Sequence, residues 1–266
     1  MANIEEPKRV IDLHGSVNFR DLGGYHNRKA QRIQWRRIYR AASLGGLSPE
    51  DQTQLAALRI TRDLDLRSPS EQTGYPDRSW PEVQLIHDPV YPTTDFGRIM
   101  NHRKLAWLRL TPHRQPHLAD PVAQIYQNVI LNKHSQQAFA LVFQSLLTLP
   151  PDEALVFHCA AGKDRTGMTA ALILLALEIP DATIVQDYLL TNDLFDFPDG
   201  VTISDDAVQN AVAQMNTQTG DALFIQGVLK TIAIGYGGIA NYWRQGLGLA
   251  PSDLQEFRQQ FLISSK

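Results

Sequence analysis

The chain has one cysteine, no apolar run long enough to span a bilayer, no low-complexity tract and no Pro/Gly/Ser-rich linker. Each shortage excludes something. A lone cysteine at position 159 cannot close an internal disulfide, which suits a reducing compartment. The N-terminal segment MANIEEPKRVIDLHGS lacks the continuous apolar core of a signal peptide, and no stretch of roughly 18 apolar residues follows it. The expected location is the cytoplasm, with no membrane span; export by a route that needs no signal peptide stays open. Basic charge is not in excess: 25 Lys and Arg face 28 Asp and Glu, a formal net charge of −3. Nothing therefore draws the chain as a whole to nucleic acid, which is not an expected partner. Lacking repeats and linkers, residues 1–266 read as a single domain with a helical elaboration at approximately 181–235.

Hydrophobic residues make up 43% of the chain, enough for a sizeable core. Arg36 to Arg40, Thr61 to Leu66 and Val83 to Val90 have the short alternating character of strands. The segment from Ile4 to Gly24 reads as loop. Ser48-Pro49-Glu50-Asp51 combines an N-cap, a proline at the first helical position and an acid at the third, which starts a helix through about Leu58. Helical periodicity is expected over 99–110, 121–131 and 136–149, then at about 181–191, 205–216, 220–233, 238–245 and 252–262.

The informative stretch begins at Glu153-Ala-Leu-Val-Phe157, an apolar run fit for a buried strand. It enters the loop His158-Cys-Ala-Ala-Gly-Lys-Asp-Arg-Thr-Gly167 and leaves through the apolar helix Met168 to Leu177. Strand, tight loop and helix in succession predict an α/β fold, a central mainly parallel sheet flanked by helices, with the ligand beyond the carboxyl ends of the strands.

A single cysteine is by default a small buried apolar residue, but crowding Lys163, Asp164 and Arg165 at a helix start has no use in a core. A phosphomonoester is a dianion, so its hydrolysis needs dense positive potential, a nucleophile and a proton donor for the leaving oxygen. The loop offers all three. Backbone amides between Cys159 and Arg165, including those of Ala160, Ala161 and Gly162, form an anion nest, and the helix adds its own N-terminal amides. Gly162 permits the turn. The same field favours a thiolate at Cys159. Arg165, after five intervening residues, presents a planar fork that donates two parallel hydrogen bonds to phosphate. Lys163 supplies a second cation, and the Thr166 hydroxyl is a candidate partner for the Cys159 sulfur. A carboxylate repels an anion unless it carries a proton, so Asp164 is the expected general acid and later base. Asp88 and Asp95 are the alternatives.

Cys159-x5-Arg165 with Gly162, Thr166 and Gly167 resembles the signature loop of protein tyrosine phosphatases, and His158 through Gly167 is especially similar to the mycobacterial tyrosine phosphatase B type. The likeness extends through Asn18-Phe-Arg-Asp-Leu-Gly-Gly24, Tyr39 to Ser43, Asp65-Leu-Arg-Ser68, Tyr236-Gly-Gly and Gly246-Leu-Gly-Leu249, and so covers nearly the whole chain. It implies a phosphocysteine intermediate, no metal and no cofactor, and C-terminal helices forming a lid. Its implied substrates are phosphorylated proteins or phosphoinositides, with inorganic phosphate as product. Asp164 also resembles the in-loop acid of myotubularin-type lipid phosphatases; the separate Trp-Pro-Asp loop of many tyrosine phosphatases has no counterpart here. His158 and Asp21 are expected to support the loop, as are Arg20 and the Asp65-x-Arg67 pair.

Other signals fall away. Gly162-Lys163 is no nucleotide loop, since Phe157 stands where the leading glycine belongs and Asp164 replaces the Ser or Thr. Gly235-Tyr-Gly-Gly-Ile-Ala240 reads as a helix junction rather than a dinucleotide turn. Two competing functions remain, a phosphate-recognition module without turnover and a cysteine-persulfide sulfurtransferase.

Overall fold

Four parallel strands and one antiparallel edge strand build the central sheet of the computed structural model, which describes residues 7–92, 116–197, 215 and 217–264. In chain order the strands are β1 (Arg20–Asp21), β3 (Ile38–Ala41), β4 (Ile60–Asp65), β5 (Gln84–His87) and β6 (Ala154–His158), arranged spatially as β1-β3-β6-β4-β5. Strand β2 (Gln31–Ile33) pairs outside this sheet with β7 (Leu262–Ser264), joining segments more than two hundred residues apart. Registers place Ala41, His158, Asp65 and His87 in one row at the carboxyl edge. The mainly parallel sheet expected from the sequence is therefore present, and β6 lies at its middle.

Every residue of β6 is buried, and its side chains alternate between two cores. Leu155 and Phe157 enter the larger core, while Ala154 and Val156 join Phe19, Tyr39, Leu44, Leu55 and Trp80 on the other side. A strand covered on both faces carries apolar residues at every position, which is why the run shows no polar alternation. The chain then turns into α5 (Asp164–Ala176), buried nearly all round in the larger core.

Helix α1 (Pro49–Ala57) starts at Ser48 with a full capping box closed by Asp51, as the sequence requires. The same Ser-Pro-x-acid signal recurs at Ser68, where it starts the unanticipated helix α2 (Pro69–Gly74), boxed by Glu71. Helices α3 (Pro121–Leu131) and α4 (Lys133–Leu147) follow β5, and α6 (Asp181–Leu189), α7 (Thr191–Leu194) and α8 (Ala222–Tyr236) follow α5. Gly237, in the left-handed region at φ 74°, ends α8 and opens the expected helix junction. The segment read as one helix over 238–245 divides into the single turn α9 (Ile239–Asn241) and a π-helical stretch, Tyr242–Gly246. Helix α10 (Pro251–Phe261) leads into β7. The loop expected over 4–24 contains β1, whose two residues are too few for a periodic signal. Helices expected at 99–110 and over nearly all of 205–216 lie outside the described residues. Among the described residues no single helix is long and apolar enough to cross a membrane.

Candidate active site

Three successive carbonyls of the loop after β6 are drawn outward. Ala160 O accepts from Ser43 N at 3.0 Å, Ala161 O from Asn18 Nδ2 at 2.9 Å, and Gly162 O from Arg40 Nη2 at 2.7 Å. A trans peptide directs its N–H opposite to its C=O, so the amides of Ala161, Gly162 and Lys163 face the other way and form the inner lining of the turn. Asn18 reaches its carbonyl from a left-handed backbone, φ 58°, which asparagine tolerates. Gly162 has φ 68°, and a Cβ there would lie 2.5 Å from Ala41 O. Lys163, at the N-cap of α5, makes no side-chain cap, so the helix's first amides are left to the loop's interior.

Cys159 opens the turn, buried at 1% exposure, and Arg165 stands in the first turn of α5. The Arg165 guanidinium is gripped by Glu71 of α2 through Nη1 at 2.6 Å and Nη2 at 2.8 Å, and lies 5.0 Å from the Tyr91 ring. Its Nε is buried with no hydrogen-bond partner among the described residues. Burial pushes the Glu71 carboxyl up, but Arg165 and Ser68 outweigh it and hold it at about 2. Sequence reasoning passed over Glu71 although the capping box that places it is written in Ser68-Pro69-Ser70-Glu71.

Asp164 is 3% exposed. Its Oδ1 accepts from Tyr126 Oη and its Oδ2 has no partner among the described residues. Burial raises its pKa above the ordinary carboxylate value against the opposing pull of Lys163, Tyr126 and Arg165. Lys163 is engaged by carbonyls: Nζ donates to Met215 O at 2.5 Å and to Gln218 O, with Asp164 Oδ1 at 3.6 Å and the Phe197 ring at 5.1 Å. Thr166 Oγ1 is buried and bonded to no described atom, the Cys159 sulfur included. Gly167 is required by packing, since a Cβ there would meet the Tyr188 ring at 2.8 Å.

Beneath the loop lies a buried cluster with more positive than negative groups. Asp187 of α6 receives Arg40 Nη1 at 2.5 Å, Arg20 Nε at 3.2 Å and Tyr25 Oη at 3.1 Å. Burial favours the neutral acid, yet the two guanidiniums hold Asp187 at about 2. Two arginines against one carboxylate leave a net positive charge under Gly162. Arg40 and Asp187 were not singled out from the sequence, because nothing local announces a contact across 147 residues.

His158, fully buried, places Nε2 3.2 Å from both Asp63 Oδ1 and Asp77 Oδ2. Burial alone would lower its pKa; Asp63 and Asp77 outweigh that and hold it well above the ordinary histidine value. These three ligand atoms lie within 4.8 Å of one another, close enough for a metal ion. Arg67 Nη2, 2.8 Å from Asp77, already supplies a cation, and the set is better described as a buried ion-pair cluster. Arg67 also grips Asp65 and bonds Ser43 Oγ at 3.0 Å, which ties Asp65-x-Arg67 to the residue whose amide holds Ala160.

Asp21 serves the turn after β1, accepting from Gly23 N at 2.7 Å and Arg36 N at 2.6 Å, rather than the loop itself. Arg20 is nearer the loop, through Asn18. Asp88 is buried just beyond β5, Oδ2 without a described partner, and burial pushes it up to about 7. Asp95 lies outside the described residues.

A mainly parallel α/β sheet whose central strand runs into an amide-lined turn, with cysteine at its start and arginine at its end, is the arrangement that the resemblance to tyrosine phosphatases implies. The chain belongs to the tyrosine phosphatase family, whose sequence model matches residues 11–263. It is 34% identical over 154 residues to a tyrosine-protein phosphatase of Nostoc commune, covering 57% of this chain and only 47% of that relative. It is 28% identical over 200 residues to the triple specificity protein phosphatase PtpB of Mycobacterium tuberculosis, covering 69% of this chain and 70% of that one. The structure of P. aeruginosa TpbA in complex with phosphotyrosine aligns over 74% of this chain and 90% of its own at 10% identity, with a TM-score of 0.35.

Proposed function

We propose that this chain hydrolyses phosphomonoesters through a phosphocysteine at Cys159, with phosphotyrosine in proteins as first substrate and phosphoinositides and phosphoserine/threonine as secondary ones. The observation that carries the reading is the outward tethering of Ala160, Ala161 and Gly162 carbonyls, which commits the amides to an anion above the thiol. Arg165 adds its unpartnered Nε to that cradle.

The Cys159 thiolate attacks phosphorus, the bond to the ester oxygen breaks, and Asp164 delivers its proton to the leaving alcohol. Asp164, now a carboxylate, takes a proton from water as that water's oxygen attacks phosphorus. The sulfur–phosphorus bond then breaks, releasing inorganic phosphate and restoring the thiolate. The inward amides and Arg165 stabilise charge on the three non-bridging oxygens throughout. An ammonium has three donors, and those of Lys163 face Met215 O, Gln218 O and Asp164 Oδ1. The engagement of Lys163 by these acceptors supports reading a substrate with one phosphoryl group, such as phosphotyrosine, as the first one.

The test is phosphate release from an aryl phosphate in the presence of chelator, comparing the native chain with Cys159→Ser and Arg165→Ala. Turnover that survives chelation and disappears in both folded variants supports the thiol mechanism. Phosphate bound without turnover makes the loop a recognition cradle, and activity surviving Cys159→Ser places the chemistry elsewhere.

A further inference from the structure

A carboxyl that gives up a proton and later takes one back must present the same oxygen each time, yet a free aspartate on a helix's first turn rotates about two side-chain bonds. Two tyrosines from separate helices restrict Asp164. Tyr126 of α3 donates its O–H to Oδ1. That hydroxyl has only one hydrogen, so the 3.0 Å contact between the Tyr126 and Tyr188 oxygens is completed by Tyr188 of α6 as donor. Proton count thus fixes the order Tyr188 to Tyr126 to Asp164, and it ends at Oδ2, the oxygen with no described partner. The rings are held as firmly as the hydroxyls. Tyr126 is fully buried, meets Tyr188 edge-on at 6.4 Å and packs against Phe224 at 5.6 Å. Tyr188 in turn sits against Gly167, where no Cβ fits.

We propose that Tyr126, backed by Tyr188, is a positioning residue for catalysis: it pins Oδ1 of Asp164 so that the transferable proton resides on Oδ2. The inference rests on Asp164 being the general acid. The charged and titratable groups facing Asp164 are Lys163 and Arg165 on its own segment, Tyr126 and Tyr188 from α3 and α6, and Tyr91 from beyond β5. The Tyr126 hydrogen bond favours the carboxylate, so its removal lets burial raise the group further.

The experiment compares pH–rate profiles of the native enzyme, Tyr126→Phe, Tyr188→Phe, Asp164→Asn and the Tyr126→Phe/Asp164→Asn double variant on a phosphate ester with a poor leaving group. Phenylalanine keeps the packing and removes only the hydroxyl. Tyr126→Phe is expected to lower kcat about ten- to a hundredfold with KM little changed, and to move the alkaline limb to higher pH. Tyr188→Phe moves it the same way by less, and the double variant is no slower than Asp164→Asn. An unmoved limb in folded Tyr126→Phe, or losses that add in the double variant, overturns the relay. An alkaline limb that survives Asp164→Asn overturns the acid assignment itself. Should Tyr126→Phe not fold, the shift or constancy of the limb in Tyr188→Phe decides.

Discussion

Arg165 and Glu71 meet through two parallel hydrogen bonds, at 2.6 and 2.8 Å, that consume one face of the guanidinium and leave Nε over. Glu71 is itself fixed by the capping box of a short helix, accepting from Ser68 N at 2.8 Å. The arginine's aim is thus set by a helix start remote in sequence from the loop.

Glu71→Gln keeps the shape but removes the charge and one acceptor. We expect kcat/KM on an aryl phosphate to fall about tenfold or more as Arg165 loses its fixed plane. Steady-state kinetics with a thermal melt to confirm folding check this, and unchanged kcat/KM would separate Glu71 from Arg165's function.

Asp88 carries a stability signature. Its folded pKa, about 7, is raised above 3.8 by burial. A group shifted upward contributes full stability below about 3.8 and loses it as pH rises through about 7. Asp88→Asn is therefore expected to stabilise the fold by about 1–3 kcal/mol at pH 8 and by little at pH 4, read from denaturation midpoints. A loss of turnover in that variant without a gain in stability would instead favour Asp88 as the acid.

Asp187 behaves in the opposite sense. Arg20 and Arg40 hold it at about 2, below 3.8, so its contribution is present above about 3.8 and lost as pH falls through about 2. Asp187→Asn leaves two buried guanidiniums without their counter-charge and should cost about 3–5 kcal/mol near neutral pH. The gap between variant and native chain should close toward pH 2 in urea titrations.

Gly167→Ala forces a Cβ to within 2.8 Å of a Tyr188 ring that cannot swing away without breaking its contact with Tyr126. Destabilisation of about 1–3 kcal/mol is expected, together with a fall in kcat because Tyr126, the partner of Tyr188, donates to Asp164. A Gly167→Ala protein with native melting and native kcat would contradict both.

The strand, loop and buried helix from Ala154 to Ala176 were legible in the sequence because each is a continuous segment whose composition reports its surroundings. Helix α1 was legible for its cap. Helix α2 carried the same signal in six residues, too few for an apolar stripe to draw notice, and none of them is buried. Strands β1, β2 and β7 are two or three residues long and exist through their partners. Of the loop's surroundings, Arg20 and the Asp65-x-Arg67 pair were expected from the sequence, whereas Arg40, Asp187 and Tyr126 act across sequence distances at which no local pattern survives. Lys163 illustrates the same limit from the other side, since its residue type suggested an anion and its surroundings supply carbonyls.

The outward tethers of the loop reach back to Asn18, Arg40 and Ser43, well over a hundred residues upstream. Closing such long spans before any cradle exists belongs to the late, slow part of folding. A refolding chain should accordingly regain its helices first and phosphate affinity last. A protease nick between the N-terminal tethers and β6 would then leave an intact protein competent but keep a denatured one from rebuilding its site, making anion binding a sensitive gauge of whether the whole chain, and not merely its helices, has come home.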